Sequence, residues 1–161
     1  MSATRIAHVL IAPVLVAALA CCLFVIAIDE PAAAPAPDRV IHFRQNVFGL
    51  LGWNFGAMSE MVREKRPWDA AEFARRAQRV AQLAPMTDEA FPAGSDVGAT
   101  TDAKPEIWSN LDDFNAKRAD LIREADALAA VAEGSDLAAI KTQFGKTGGA
   151  CKSCHDKYKA D

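Results

Sequence analysis

The chain has 161 residues, with 18 Lys and Arg against 21 Asp and Glu and a formal charge of −3. Its basic residues are spread along the sequence rather than clustered, which excludes the electrostatic footprint of a nucleic-acid binder. Setting aside about forty N-terminal residues of targeting and linker character leaves roughly 120, one domain that can bury a core without disulfide staples.

The N-terminus, MSATRIAHVLIAPVLVAALACCLFVIAIDE, carries Arg5, an uncharged apolar run from Val9 to Ile28, and then Asp29 and Glu30. Twenty residues rising about 1.5 Å each suffice to span a bilayer core. The small-x-small site after the run lies in Pro31-Ala32-Ala33-Ala34, where cleavage would meet Pro35; this favours an uncleaved anchor over a cleaved signal peptide. With Arg5 cytoplasmic, the rest of the chain crosses the membrane. Either reading puts the domain in the periplasm, soluble after signal cleavage or tethered to the inner membrane by residues 9–28. Cys21 and Cys22 sit inside the run as small apolar residues, which leaves two cysteines for the exported part. Residues 1–28 are therefore read as signal or anchor, 29–38 as an extended, stiff Pro/Ala linker, and 39–161 as the folded domain.

Within the domain, prolines at 67, 85, 92 and 105 divide the chain into segments of helical length. Arg39 to Arg66 carries Ile41, Phe48, Phe55 and Val62 beside Val40, Val47, Leu51 and Met58, the stripe of a long helix. Gly49, Gly52 and Gly56 interrupt it, each at a cost of about 1 kcal/mol relative to alanine, as if another backbone or a flat ligand came close. A second helix is capped by Asp69, with Glu72 at its third position, and runs to about Leu83 with Phe73, Val80 and Leu83 inward. Met86 to Ala103 is rich in turn formers and reads as a long, functional connection. A third helix starts near Pro105 and places Ile107, Leu111, Phe114, Leu121, Leu128 and Ala132 on one face, ending at Gly134. Ser135 then caps a fourth, whose inward stripe is Leu137, Ile140, Phe144, Gly148, Cys151, His155 and Tyr158. Four amphipathic helices, two short links and one long one predict an all-α, antiparallel four-helix bundle, an architecture that holds cofactors between facing helices.

The last helix ends in CKSCHDKYKAD. On a helix Cys151, Cys154 and His155 share one side, so two thioethers can tether a porphyrin while the imidazole reaches its iron; C-x-x-C-H is the attachment signature of c-type haem. A zinc site wants about four ligands, yet the domain offers only His42 beyond the trio. A thioredoxin-like redox motif belongs at a helix start in a βαβ setting. A plain disulfide leaves His155 on the core face unexplained. Any further iron ligand must come from upstream, from His42, Met58, Met61 or Met86.

The segments FRQNVF at 43–48, AFPAGSD at 90–96, AKPEIW at 103–108 and GGACKSCHDKYK at 148–159 together resemble the cytochromes c′, the class II c-type cytochromes, over nearly all of residues 38–161. The resemblance implies the same bundle, usually a homodimer packed through its early helices, with one haem c held by Cys151 and Cys154 and His155 as the proximal iron ligand. It puts Arg44 and Gln45 on a haem-contacting pair, Arg44 being suited to a propionate by its fork geometry. Ser95 and Asp96 match a loop Thr-Glu pair near the haem. Phe48 falls at the distal position, where relatives often carry leucine, or methionine in low-spin members. Lys159 stands where many relatives have an arginine beside the proximal histidine. By helical rise Met58 and Met61 lie about 15 Å or more beyond Phe48, and His42 about 9 Å before it on another face, so none of them reaches the iron.

The expected protein is thus a high-spin, five-coordinate c-type cytochrome, not an enzyme, working in electron transfer with redox partner proteins. The alternative is a haem protein that binds nitric oxide or carbon monoxide for sensing or detoxification. A haem-free helical interaction module at the membrane is the competing reading from another class.

Overall fold

The computed structural model describes residues 34–160. The signal or anchor segment, residues 1–28, lies outside them, as does the linker up to residue 33. Among the described residues no helix is long and apolar enough to cross a membrane.

Helix α1 spans Pro37–Val62, two residues into the sequence read as linker, because Pro37 fits the first turn of a helix. It stops four residues before the expected Arg66. Glu64, at φ 59°, turns the chain into the left-handed region; its N–H donates to the Met61 carbonyl (3.1 Å) and that of Lys65 to the Glu60 carbonyl (2.8 Å), the paired bonds of a Schellman ending. Helix α2, Ala70–Leu83, begins where expected, with Asp69 Oδ1 accepting from the Glu72 N–H at 2.8 Å. The Glu72 carboxylate lies between Arg66 and Arg76, 2.7 Å from each.

Two further expectations need correction. The segment after Pro105 is broken: α3, Glu106–Ser109, is separated from α4, Leu111–Ala132, by Asn110 at φ −134°, ψ 46°. The Asn110 amide donates to the Glu106 carbonyl at 2.9 Å, a local bond that competes with the helical ladder. The rotation leaves Leu111 exposed while Ile107, Phe114, Leu121 and Leu128 are buried. Helix α5, Leu137–Tyr158, is capped by Asp136 and not by Ser135: Asp136 Oδ1 accepts from the N–H groups of Ala138 (2.9 Å) and Ala139 (3.0 Å). The long connection is also partly ordered, because Ala84–Glu89 forms a 3-10 turn.

The bundle is built by α1, α2, α4 and α5. Helix α1 packs on α2, α2 on α4 and α4 on α5. Their shared core holds Met58, Met61, Phe73, Ala77, Val80, Ala125 and Leu128, all fully or nearly fully buried, so Met58 and Met61 are core residues. A row of rings runs through it: Trp68 against Phe73 (4.8 Å between centroids), Phe73 against Phe144 (6.1 Å), and Phe144 stacked on Phe55 (4.3 Å). A smaller cluster of Ile107, Phe114 and Tyr158 is packed against Phe91, Ala103, Trp108 and Cys154.

The loop from Ala90 to Pro105 meets both the start of α1 and the end of α5. Gly98, at φ 113°, lies so close to Pro37 and the Asp38 N–H that a side chain there would meet them at 3.0 and 3.2 Å, which only glycine allows. At its other end the Lys104 N–H donates to the Tyr158 carbonyl (2.9 Å) and the Ala160 N–H to the Asp102 carbonyl (2.7 Å). Chemical denaturation of the full chain should separate the two candidate caps. Asp136→Ala is expected to cost about 1 kcal/mol, and Ser135→Ala to stay within about 0.5 kcal/mol of the parent.

Candidate cofactor site

The fourth side of the bundle is different. Helices α1 and α5 approach each other chiefly through the Phe55–Phe144 ring stack and through Phe55 against Gly148, and beside that contact a cavity of about 410 Å³ opens between them. One wall is α1, with Arg44, Gln45, Phe48, Leu51, Gly52 and Phe55. The other is α5, with Ala150, Cys151, Cys154, His155 and Tyr158. Helix α4 closes the floor with Phe114, Lys117, Arg118 and Leu121, and Thr101 to Ala103 form the rim. The lining is predominantly apolar, as a porphyrin plane requires.

The trio lies where the helical spacing put it. Cys151 and Cys154 are unpaired, half-buried thiols, and burial pushes both up from the ordinary thiol value. His155 shares their wall but is exposed there, and Leu137, expected on the same inward stripe, is exposed as well. Partial burial, and next the nearby Lys159 ammonium, lower the His155 pKa against the opposing pull of Asp156, so the neutral imidazole that ligates a metal is the favoured form at neutral pH. The end of α5 is locked in place: the Tyr158 hydroxyl donates to Asp113 Oδ2 at 2.6 Å, and Lys157 Nζ to the same oxygen at 3.0 Å. Lys159 reaches Asp102 at 3.3 Å.

Arg44 is 3% exposed, and the loop is folded around it. Its Nη1 donates to the Ala90 carbonyl (3.1 Å) and Ser95 Oγ (3.4 Å), and its Nη2 to the Ser95 carbonyl (2.9 Å) and Thr101 Oγ1 (3.0 Å). The guanidinium also stacks over Phe91 at 4.8 Å. Burial lowers its pKa and the Asp96 charge partly restores it; an arginine stays charged under either influence. Gln45 lines the cavity and donates to the Thr100 carbonyl at 2.9 Å. Ser95 and Asp96 do not line it. Ser95 is buried behind Arg44, and Asp96 acts on Arg44 through its charge. None of His42, Met58, Met61 and Met86 lines the cavity; Met86 is exposed and His42 faces Gln45 at 3.3 Å.

The donor set fits a haem. Two thiols and one imidazole stand on one wall, two aromatic rings on the other, and the cations Arg44, Lys117, Arg118 and Lys159 border the space between them. The Nε atoms of Arg44 and Arg118 are buried without a hydrogen-bond partner among the described residues, and both side chains line the cavity. Such orphaned donors are costly unless an acceptor from outside the polypeptide meets them. Sequence reasoning missed Phe91, Phe114, Lys117 and Arg118. Phe91 lies in the segment AFPAGSD, and Lys117 and Arg118 carry no spacing signal, because their place in the floor is set by how α4 packs.

The model of the family described as "Cytochrome C'" matches residues 39–159. A cytochrome c' of Rubrivivax gelatinosus is 39% identical over 123 residues, covering 76% of this chain and 95% of the relative. Among solved structures, cytochrome c prime from Shewanella frigidimarina superposes with a TM-score of 0.77 at 44% identity, covering 80% of this chain and 100% of the other. A nitric oxide complex of a mutant cytochrome c prime from Alcaligenes xylosoxidans gives 0.73 at 31% identity, covering 80% and 99%.

The Asp113 carboxyl is held below the usual carboxylate value first by the Tyr158 hydroxyl and then by Lys157. A depressed folded-state value adds stability that is present above the ordinary carboxylate pKa and is lost as pH falls through the folded one. Tyr158→Phe should therefore move the Asp113 titration upward in carbon-detected NMR, and by more than Lys157→Ala does. An unmoved titration in Tyr158→Phe would refute the hydroxyl as the main cause.

Proposed function

Because this chain belongs to the cytochrome c′ family, a family of haem proteins, we propose that it carries one haem c on Cys151 and Cys154, with His155 as the iron ligand and Phe48 shielding the opposite side. In this reading it is a periplasmic electron-transfer protein, not an enzyme. The observation that carries it is the cavity between α1 and α5, which sets the C-x-x-C-H trio against Phe48 across an apolar space.

When bound, haem c supplies an iron that cycles between ferrous and ferric states and can offer one coordination position to a neutral diatomic gas. Cys151 and Cys154 would hold the group through thioether bonds, each thiol adding its S–H across one vinyl double bond with no oxidant needed. His155 brings the lone pair of a neutral imidazole, the form that burial and Lys159 favour. Arg44, fixed by the loop through its terminal nitrogens, keeps its Nε–H for a propionate oxygen. Gln45 borders the same end, and Ser95 and Asp96 serve by holding Arg44 rather than by touching the haem.

Phe48 decides between the two roles considered. A phenyl ring offers no lone pair, and among the described residues no methionine and no second histidine lines the cavity, so His155 would be the one protein ligand to a bound iron. Binding of nitric oxide or carbon monoxide, in sensing or detoxification, is the second reading. It is favoured by this apolar distal wall and by the nitric oxide complex of the Alcaligenes xylosoxidans protein. The homodimer is assigned to the early helices, where α1 exposes Leu50 at 51% and Trp53 at 72%. The remaining partner is a redox protein meeting the cavity mouth, with the membrane entering through residues 9–28.

Protein matured with the c-type attachment machinery should give the pyridine haemochrome of two thioether links and a high-spin spectrum that changes on adding nitric oxide. Phe48→Ala should speed carbon monoxide association by about tenfold or more, a barrier change of some 1.4 kcal/mol. A colourless product would sink the haem assignment. A low-spin, six-coordinate spectrum would sink that of Phe48.

A further inference from the structure

Granted the haem reading of the cavity, on which this rests, we propose that Tyr158 is a redox-active residue: when a peroxide oxidises the bound cofactor, Tyr158 returns one electron to it and hands its phenolic proton to Asp113. Packing alone would be served by a phenylalanine at 158.

Tyr158 is the chain's single tyrosine. It is 2% exposed and lines the cavity. On the same wall Cys151 and Cys154 are committed to attachment and His155 to ligation. The rings of Phe48, Phe55 and Phe114 that also line the cavity are phenyl groups, which resist oxidation. Among the described residues no tryptophan and no methionine lines it. Tyr158 is therefore the one readily oxidised side chain left beside a bound haem.

Losing an electron makes a phenol a far stronger acid than any carboxylic acid, so a buried phenol gives one up readily only where its proton has somewhere to go. The Tyr158 hydroxyl donates to Asp113 Oδ2 at 2.6 Å, the length of a charge-assisted O–H···O bond. The Asp113 side chain is 45% exposed and shares that oxygen with Lys157 Nζ at 3.0 Å, so a proton received there passes to water. The phenol is held in this geometry. Its ring stands edge-on to Phe114 at 5.2 Å, Phe114 is packed against Phe91 at 4.7 Å, and the Tyr158 carbonyl accepts from the Lys104 N–H at 2.9 Å. Burial, and next the hydrogen bond to Asp113, raise the phenol pKa, so the side chain is a protonated phenol at neutral pH. The electrons and protons balance. Peroxide takes two electrons from the loaded site and, with two protons from solvent, leaves as two water molecules. Tyr158 restores one of those electrons: its O–H bond breaks, the proton goes to Asp113 Oδ2, and a neutral phenoxyl remains. The redox partner restores the second, and one more electron from it, with the proton returned by Asp113, remakes the O–H bond. The role is protection of the cofactor, not turnover of peroxide.

The test adds hydrogen peroxide to the haem-loaded full chain and freezes samples for electron paramagnetic resonance. A phenoxyl signal should form in the parent and narrow when the chain carries ring-deuterated tyrosine, which labels position 158 alone. In Tyr158→Phe the signal should be lost and the Soret band should bleach faster than in the parent. Asp113→Asn keeps an oxygen that accepts the hydrogen bond but takes no proton. It should hold the end of α5, with a parent-like circular dichroism spectrum, yet form the phenoxyl about tenfold or more slowly, the loss expected when a positioned proton acceptor is removed. Asp113→Glu, which restores a carboxylate, should recover much of the parent rate. A residue that only anchors α5 would give none of these changes in the radical. A loaded parent that forms no phenoxyl, a haem spectrum that peroxide leaves unchanged, or equal phenoxyl rates in the parent and Asp113→Asn would overturn the inference while leaving the haem assignment intact. A colourless product would overturn both.

Discussion

The structure turns on one buried charge. Arg44 points from α1 into the space under the Ala90–Pro105 loop, where it is 3% exposed. A guanidinium so placed is strongly unfavourable unless its N–H groups are met. The loop meets those of the two terminal nitrogens with the Ala90 and Ser95 carbonyls and the hydroxyls of Ser95 and Thr101. Neither side of the arrangement stands without the other. A loop of this composition has no regular ladder to order it, and the terminal nitrogens of the arginine take their acceptors from it. The same loop then carries Phe91 against Phe48 and joins Asp102 and Lys104 to the end of α5. One side chain thus fixes the rim, the aromatic wall and the anchorage of the helix that bears His155.

The second organising feature is the unequal closure of the bundle. The α1–α2, α2–α4 and α4–α5 seams are packed in the ordinary way, with Met58, Phe73, Ala125 and Leu128 filling the middle. The α1–α5 seam is closed only where Phe55 lies on Phe144 and Gly148. Beyond that contact a cavity separates the helices, with reactive side chains on one wall and unreactive rings on the other. The division of labour follows from chemistry. Attachment and ligation need lone pairs and thiols, whereas selectivity toward small neutral ligands needs a wall that offers none.

Much of this was legible in the sequence because it depends on local periodicity. The apolar stripes, the spacing of the prolines and the Asp69 cap locate the long helices. The three- and four-residue spacings of Cys151, Cys154 and His155 place the trio on one face. What could not be read depends on contacts distant along the chain or on a choice between adjacent groups. Arg44 binds carbonyls some fifty residues away, and a carbonyl leaves no mark in a sequence. Asp136 and Ser135 are both good caps, and the chain register decides between them. Asn110 breaks a periodic segment through its own side chain, so the stripe that includes Leu111 misled. Lys117 and Arg118 look like solvated charge until α4 is seen to form the floor of the cavity.

The aromatic row from Trp68 through Phe73 and Phe144 to Phe55 has an optical corollary. The protein carries three tryptophans, and each stands in a different relation to the cavity. Trp108 is packed against its Phe91 wall, Trp68 ends the row three rings away from Phe55, and Trp53 faces outward at 72% exposure. An absorbing chromophore between α1 and α5 would drain their fluorescence unequally, so replacing the indoles one at a time would turn the molecule into its own ruler for the position of that chromophore.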